Sequence, residues 1–244
     1  MILNVAGYAF VELDALDSLR VRLRDRAHGL GLRGTVLLAE EGVNLVLAGQ
    51  PDSVRLWLRD LRSVDCLSTF AVKESWSETV PFKRLKVKVK REIIRMNHPA
   101  VKPMHGRAES VNPATLKRWL DQRHDDDGRP VVLLDTRNQF EVECGTFKGA
   151  RSFEIAKFTE FPARAVRHRD DFANQRVVSF CTGGIRCEKA AIFMREAGIE
   201  NVVQLEGGIL KYFEEVGQDH FTGTCFVFDE RASLTGDLVP ASPE

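Results

Sequence analysis

The segment from Arg176 to Ala197 constrains the fold more than any other. A short apolar run, Arg176-Val177-Val178-Ser179-Phe180, passes directly into Cys181-Thr182-Gly183-Gly184-Ile185-Arg186-Cys187 and then into a helical stretch, Glu188 to Ala197. A strand that turns at once into a helix is half of a βαβ unit, and such units build parallel sheets covered by helices. The two glycines let the backbone curl so that successive N–H groups point inward, and the helix brings its positive end near the cysteine sulfur. Both effects favour a thiolate over a thiol, so Cys181 reads as a nucleophile.

The same alternation surrounds this unit. Asn112 and Pro113 cap a helix carrying Leu116, Trp119 and Leu120. Strands are expected at Val131–Leu134, Ala150–Ile155 and Val202–Leu205, and helices at Phe158–Arg167 and Ile209–Val216. Short continuous apolar strands between helices describe a parallel, doubly wound α/β domain over residues 112–222, with the Cys181 loop at the carboxyl ends of its strands. Asp125-Asp126-Asp127-Gly128 lacks the alternating ligands and closing glutamate of a calcium loop and reads as a solvated turn.

Residues 1–96 follow a different pattern. Ile2 to Leu13 is rich in strand formers, and Leu16, Leu19, Leu23, Ala27 and Leu30 recur at helical spacing. Strands Gly34–Ala39 and Val43–Ala48 flank a hairpin turn, a helix starts at Pro51, and a further strand pair is expected at Phe70–Val72 and Leu85–Ile94. The order β-α-β-β-α-β is that of a ferredoxin-like α+β domain with two helices on one face of an antiparallel sheet. Residues 97–111, with two prolines and no periodicity, read as a linker, and residues 223–244 as a C-terminal tail. His98 and His105, in the linker, have no companion ligand at metal spacing.

The formal net charge is zero over 244 residues, but the distribution is uneven. From residue 83 to 107, Lys83, Arg84, Lys86, Lys88, Lys90, Arg91, Arg95, Lys102 and Arg107 face one acid, Glu92. In Leu85-Lys86-Val87-Lys88-Val89-Lys90 a strand would align the lysines on one face. Such a ribbon either follows a phosphate backbone or protects a sheet edge from aggregation. No apolar run approaches the roughly 18 residues of a membrane span, and no export signal is recognisable. Five cysteines without Cys-x-x-Cys spacing suit neither a disulfide framework nor a zinc site, and point to a reducing cytoplasm.

The loop's chemistry narrows with its spacing. Phosphate-cleaving enzymes use Cys-x5-Arg, whereas Cys181 to Arg186 is Cys-x4-Arg, a smaller cradle better fitted to a persulfide sulfur than to a phosphoryl group. Together with Asp135-Thr136-Arg137-Asn138-Gln139-Phe140-Glu141 and Gly145 to Ala150, the loop resembles a rhodanese domain. The longer motifs Cys181–Lys189, Gln204–Tyr212, Cys225–Asp229, Pro81-Phe82 to Lys90 and Glu41-Gly42-Val43-Asn44 are similar to bacterial oxygen-dependent tRNA uridine 34 hydroxylases.

The resemblance implies an acylphosphatase-like N-terminal domain, a rhodanese domain, and conversion of the wobble uridine to 5-hydroxyuridine. It also implies tRNA, through its anticodon loop, as partner, and molecular oxygen as co-substrate. Cys181 would be the essential residue, within the loop Thr182, Gly183, Gly184, Ile185, Arg186 and Cys187. Arg186 would orient an anion or bond to the loop backbone; Cys187 would pack or resolve an oxidised Cys181; Asp135 and Arg137 would brace neighbouring loops. Lys83, Arg84, Lys86, Lys88, Lys90 and Arg91 would then hold tRNA, and Glu41 and Asn44 either join that surface or only shape the hairpin. No flavin, nicotinamide or iron signature, metal site, membrane contact or protein partner is evident. Family members that extend further carry additional cysteine pairs beyond the positions matched here. The alternatives are a thiosulfate-type sulfurtransferase carrying a persulfide, and a non-catalytic RNA-binding or sulfur-carrier module.

Overall fold

The computed structural model describes residues 1–241, and the chain divides into two compact units, Met1–Arg95 and Met96–Glu244. In the first unit the elements are β1 (Ile2–Phe10), α1 (Leu16–Gly29), β2 (Arg33–Ala39), β3 (Gly42–Gly49), α2 (Pro51–Arg62), β4 (Lys73–Ser77) and β5 (Leu85–Val89). They form one sheet of order β4-β1-β3-β2-β5. Its core face carries Leu3, Val5, Val36, Leu38, Leu45, Leu47 and Val87, packed with Leu19 and Leu23 of α1 and with Val54, Trp57, Leu58 and Leu61 of α2. The Trp57 indole N–H donates to the Leu23 carbonyl at 3.0 Å and locks the two helices together.

Three expectations for this unit are corrected. The fourth strand is Lys73–Ser77 and not Phe70–Val72, because Phe70 turns into the core. β4 and β5 do not pair; they lie on opposite edges, and β5 runs parallel to β2, so the sheet is mixed and not purely antiparallel. β5 also ends at Val89, short of Ile94. Beyond it the Glu41 carboxylate accepts the Ile93 N–H at 2.7 Å and the Asn44 amide donates to the Ile93 carbonyl at 3.2 Å, drawing the chain to the β2–β3 hairpin. The lysine alternation holds only in part: Val87 is buried in the core and Lys88 exposed, but Lys86 is half-buried and Val89 is 37% exposed.

The second unit comprises β6 (Ser110–Val111), α3 (Pro113–Gln122), β7 (Val131–Asp135), α4 (Gln139–Val142), β8 (Gly145–Phe147), β9 (Arg151–Ser152), α5 (Phe161–Arg167), β10 (Arg176–Phe180), α6 (Ile185–Glu196), β11 (Val202–Leu205), α7 (Gly208–Val216), β12 (Phe221–Gly223), β13 (Cys225–Phe226) and β14 (Ser233–Leu234). Its main sheet has the order β6-β11-β10-β7-β9, and every pairing in it is parallel. β10 is the central strand, so the loop that follows it sits between the ends of β7 and β11. Asn112 caps α3 by accepting the Thr115 N–H at 2.8 Å.

Residues 97–111 are packed rather than free, since the His98 ring lies 4.8 Å from that of Phe193, Val101 and Pro103 are buried, and the segment ends in β6. Residues 223–241 likewise carry structure: β12 pairs with β8, and Cys225 in β13 pairs with Leu234 in β14, both side chains buried. The Asp125–Gly128 turn is solvated at Asp126, Asp127 and Gly128, but not at Asp125. The Asp125 carboxylate is buried, accepts the Asp127 and Arg129 N–H groups at 3.0 and 2.7 Å, and meets Arg176 Nε at 2.8 Å, fixing the start of β10. Ala150–Ile155 contributes a strand only at Arg151–Ser152, and Phe158–Arg167 divides into a 3-10 turn and α5. No helix among the described residues is long and apolar enough to cross a membrane.

Candidate active site

β10 delivers Cys181 to the end of the sheet with 1% of its surface exposed. Gly184, at φ 103°, adopts the left-handed backbone a side chain would resist, and this reversal starts α6 at Ile185, three residues before Glu188. Arg186 and Cys187 therefore belong to the first turn of the helix. The Gly184 N–H donates to the Cys181 sulfur at 3.1 Å. Burial pushes the Cys181 thiol up, but the Cys187 side chain, the Arg186 charge and the Arg186 and Gly184 N–H groups outweigh it and bring it down to about 6. These contacts, at the first turn of a helix, favour the thiolate form of Cys181.

The loop is supported from several sides. The N–H groups of Ile209 and Leu210 in α7 donate to the carbonyls of Cys181 and Thr182 at 2.9 and 3.1 Å. Gly208, at φ +66°, lets α7 come this close, because a Cβ there would strike the Cys181 carbonyl. Thr182 Oγ1 donates to the Phe226 carbonyl at 3.5 Å, tying the loop to β13.

Arg186 does not bond to the loop carbonyls. Its guanidinium meets the Glu141 carboxylate in two bonds, Nη1 to Oε2 at 2.7 Å and Nη2 to Oε1 at 2.6 Å, with both side chains almost wholly buried. Glu141 also accepts the Asn138 N–H at 3.2 Å, closing a capping box on α4. Asp135 and Arg137 form a second buried pair, Nη2 to Oδ2 at 2.6 Å. Arg137 Nη2 donates to the Gly145 carbonyl at 2.6 Å, and Asp135 accepts the Thr146 hydroxyl at 2.8 Å, so this pair braces the loop after β7 against β8.

Cys187 is wholly buried, and burial together with the neighbouring Cys181 pushes its thiol well up. The Thr136 hydroxyl lies 3.6 Å from its sulfur while donating to the Phe180 carbonyl at 3.0 Å. Burial pushes Cys225 up to about 12 and makes it inert. Among the described residues no group of three His, Cys, Asp or Glu side chains is placed to hold a metal ion.

The sequence reading missed Glu141 as the partner of Arg186, and also Glu188, buried in the first turn of α6, paired with Arg107 and accepting Gln204 Nε2 at 3.0 Å. The available signal was an acid inside the quoted Asp135–Glu141 motif. The lysines of β5 belong to the first unit, and Cys181 with its supporting pairs belongs to the second.

Residues 2–93 match the UPF0176 acylphosphatase-like domain, and residues 115–215 match the rhodanese-like domain. A protein of Variovorax paradoxus (strain S110) named tRNA uridine(34) hydroxylase is 62% identical over 97% of this chain and 90% of its own length. A protein of the same name from Bordetella petrii is 58% identical over 98% of this chain and 95% of its own. With such identity across both units, the chain belongs to the tRNA uridine(34) hydroxylase family.

Proposed function

We propose that this chain hydroxylates C5 of uridine 34 in tRNA with molecular oxygen, and that Cys181 is its essential residue. The observation that carries the reading is the Cys181 thiolate, cradled by the Gly184 N–H at 3.1 Å, in a chain 62% identical to a uridine 34 hydroxylase. In this reaction one oxygen atom replaces the C5 hydrogen and the other leaves as water. The balance requires two electrons and two protons from an external two-electron donor. Lys83, Arg84, Lys86, Lys88, Lys90 and Arg91 supply the phosphate contacts, which set affinity and orientation rather than sequence choice.

The same cradle suits a persulfide, which makes sulfur transfer the second reading. Nucleoside mass spectrometry of tRNA separates the two in cells lacking this chain and any redundant route. Loss of 5-hydroxyuridine and its derivatives at position 34, restored by the wild-type chain, is the expected result. Unchanged 5-hydroxyuridine with a missing thiolated nucleoside would replace hydroxylation by sulfur transfer.

A further inference from the structure

Three phenylalanines stand beside the Cys181 loop with no part in the chemistry so far described. Phe140 of α4 lies 5.2 Å from Phe226 of β13 and 6.4 Å from Phe228, and Phe226 lies 5.1 Å from Phe228, with all three pairs nearly perpendicular. Phe140 is 45% exposed and Phe228 59% exposed, among the few large apolar side chains left in solvent. Edge-to-face packing fixes the rings against one another while leaving ring surface open.

The cluster is joined to the reacting loop at two points. Phe140 directly precedes Glu141, whose carboxylate holds Arg186, and the Phe226 carbonyl accepts the Thr182 hydroxyl. Phe228 lies two residues beyond Phe226, and the Val227 N–H between them donates to the Ala232 carbonyl at 2.9 Å.

A uridine that reaches a sulfur only 1% exposed must leave its stack in the anticodon loop. Its neighbours then lose a stacking partner, and aromatic side chains are the usual replacement in single-stranded RNA recognition. We propose that Phe140, Phe226 and Phe228 form a stacking platform for the unpaired bases flanking the uridine presented to Cys181. This inference rests on the tRNA reading above and adds to the lysine contacts a site that grips bases instead of phosphates.

The test uses the full chain and a synthetic anticodon stem-loop with unmodified uridine 34, made intact or with the nucleotide after position 34 abasic. Hydroxylation is followed with a dithiol and oxygen, and KM and kcat are measured for wild type, Phe140→Ala/Phe228→Ala and Phe228→Trp. The double variant should raise KM on the order of tenfold with an unchanged salt dependence, since no phosphate contact is lost. Phe228→Trp, which keeps an aromatic face, should stay near wild type. The abasic RNA should be a poor substrate for wild type and no worse for the double variant, because one stack is removed from either side.

Wild-type KM in the double variant, or equal and additive losses from the abasic nucleotide in both proteins, overturns the platform while the tRNA reading stands. If the wild-type chain neither binds nor hydroxylates the intact RNA, both fall. Titration of the Cys181 thiolate in the double variant should match wild type, and a shifted midpoint would assign the phenylalanines to holding the loop, overturning the platform.

Discussion

Cys181→Ser is expected to lower 5-hydroxyuridine formation by about a thousandfold or more, because the one other thiol of the loop, Cys187, is wholly buried and held protonated by that burial. The substitution is nearly isosteric at a buried position, so the fold should persist. The loss reports chemistry if tRNA affinity is retained while product formation disappears. The ultraviolet thiolate band of wild type, after subtracting that of Cys181→Ser, should titrate near pH 6, where an ordinary thiol would titrate at about 8.5. Folding lowers this thiol's pKa, so protonation grows as pH falls through that value, and activity should fall with it. A midpoint in the ordinary thiol range would mean that the loop packs a thiol and does not prepare a thiolate.

Glu141→Ala should be strongly destabilising. It leaves the Arg186 guanidinium, whose side chain is 7% exposed, without its carboxylate. Stranding one partner of a buried pair costs roughly 3–5 kcal/mol. At about 2–4 °C per kcal/mol for a unit of this size, the melting transition of the second unit should drop by on the order of 10 °C. Replacing both partners by apolar residues, Glu141→Leu with Arg186→Met, should recover much of that loss. Thermal scans of the three proteins check it. A double variant no more stable than Glu141→Ala would show that the pair contributes more than the avoidance of a lone charge.

The parts of the chain visible in the sequence were those written in local pattern. Arg176–Phe180 followed by two glycines and a helix specified the position of Cys181, because a strand, a tight turn and a helical stripe each leave a mark within a few residues. The Leu16–Ala27 spacing and the Val87 register were legible for the same reason. Pairings made across the chain left no such mark. Glu141 meets Arg186 across 45 positions and Asp125 meets Arg176 across 51, so neither partner could be named from its neighbours. The edge strands were misplaced because apolar Phe70 looked like strand while belonging to the core. The polar Lys73–Ser77 instead pairs along β1, where the Asn4 amide donates to the Ser75 carbonyl at 3.3 Å and to the Ser77 hydroxyl at 3.0 Å. The parallel pairing of β5 with β2 needed the whole sheet to be seen. Phe226 and Phe228 were read only as part of a family motif, since their contact with Phe140 exists only in the folded second unit.

The central claim is that this chain places an atom of molecular oxygen on uridine 34 through Cys181. Cells lacking this chain and any redundant route, carrying either wild type or Cys181→Ser, can be grown under heavy-isotope oxygen gas and their tRNA digested for mass spectrometry. The account predicts heavy oxygen in the 5-hydroxyuridine family at position 34 with wild type and none of that nucleoside with Cys181→Ser. Hydroxyuridine carrying only light oxygen from water, or labelled product in the Cys181→Ser cells, would contradict it.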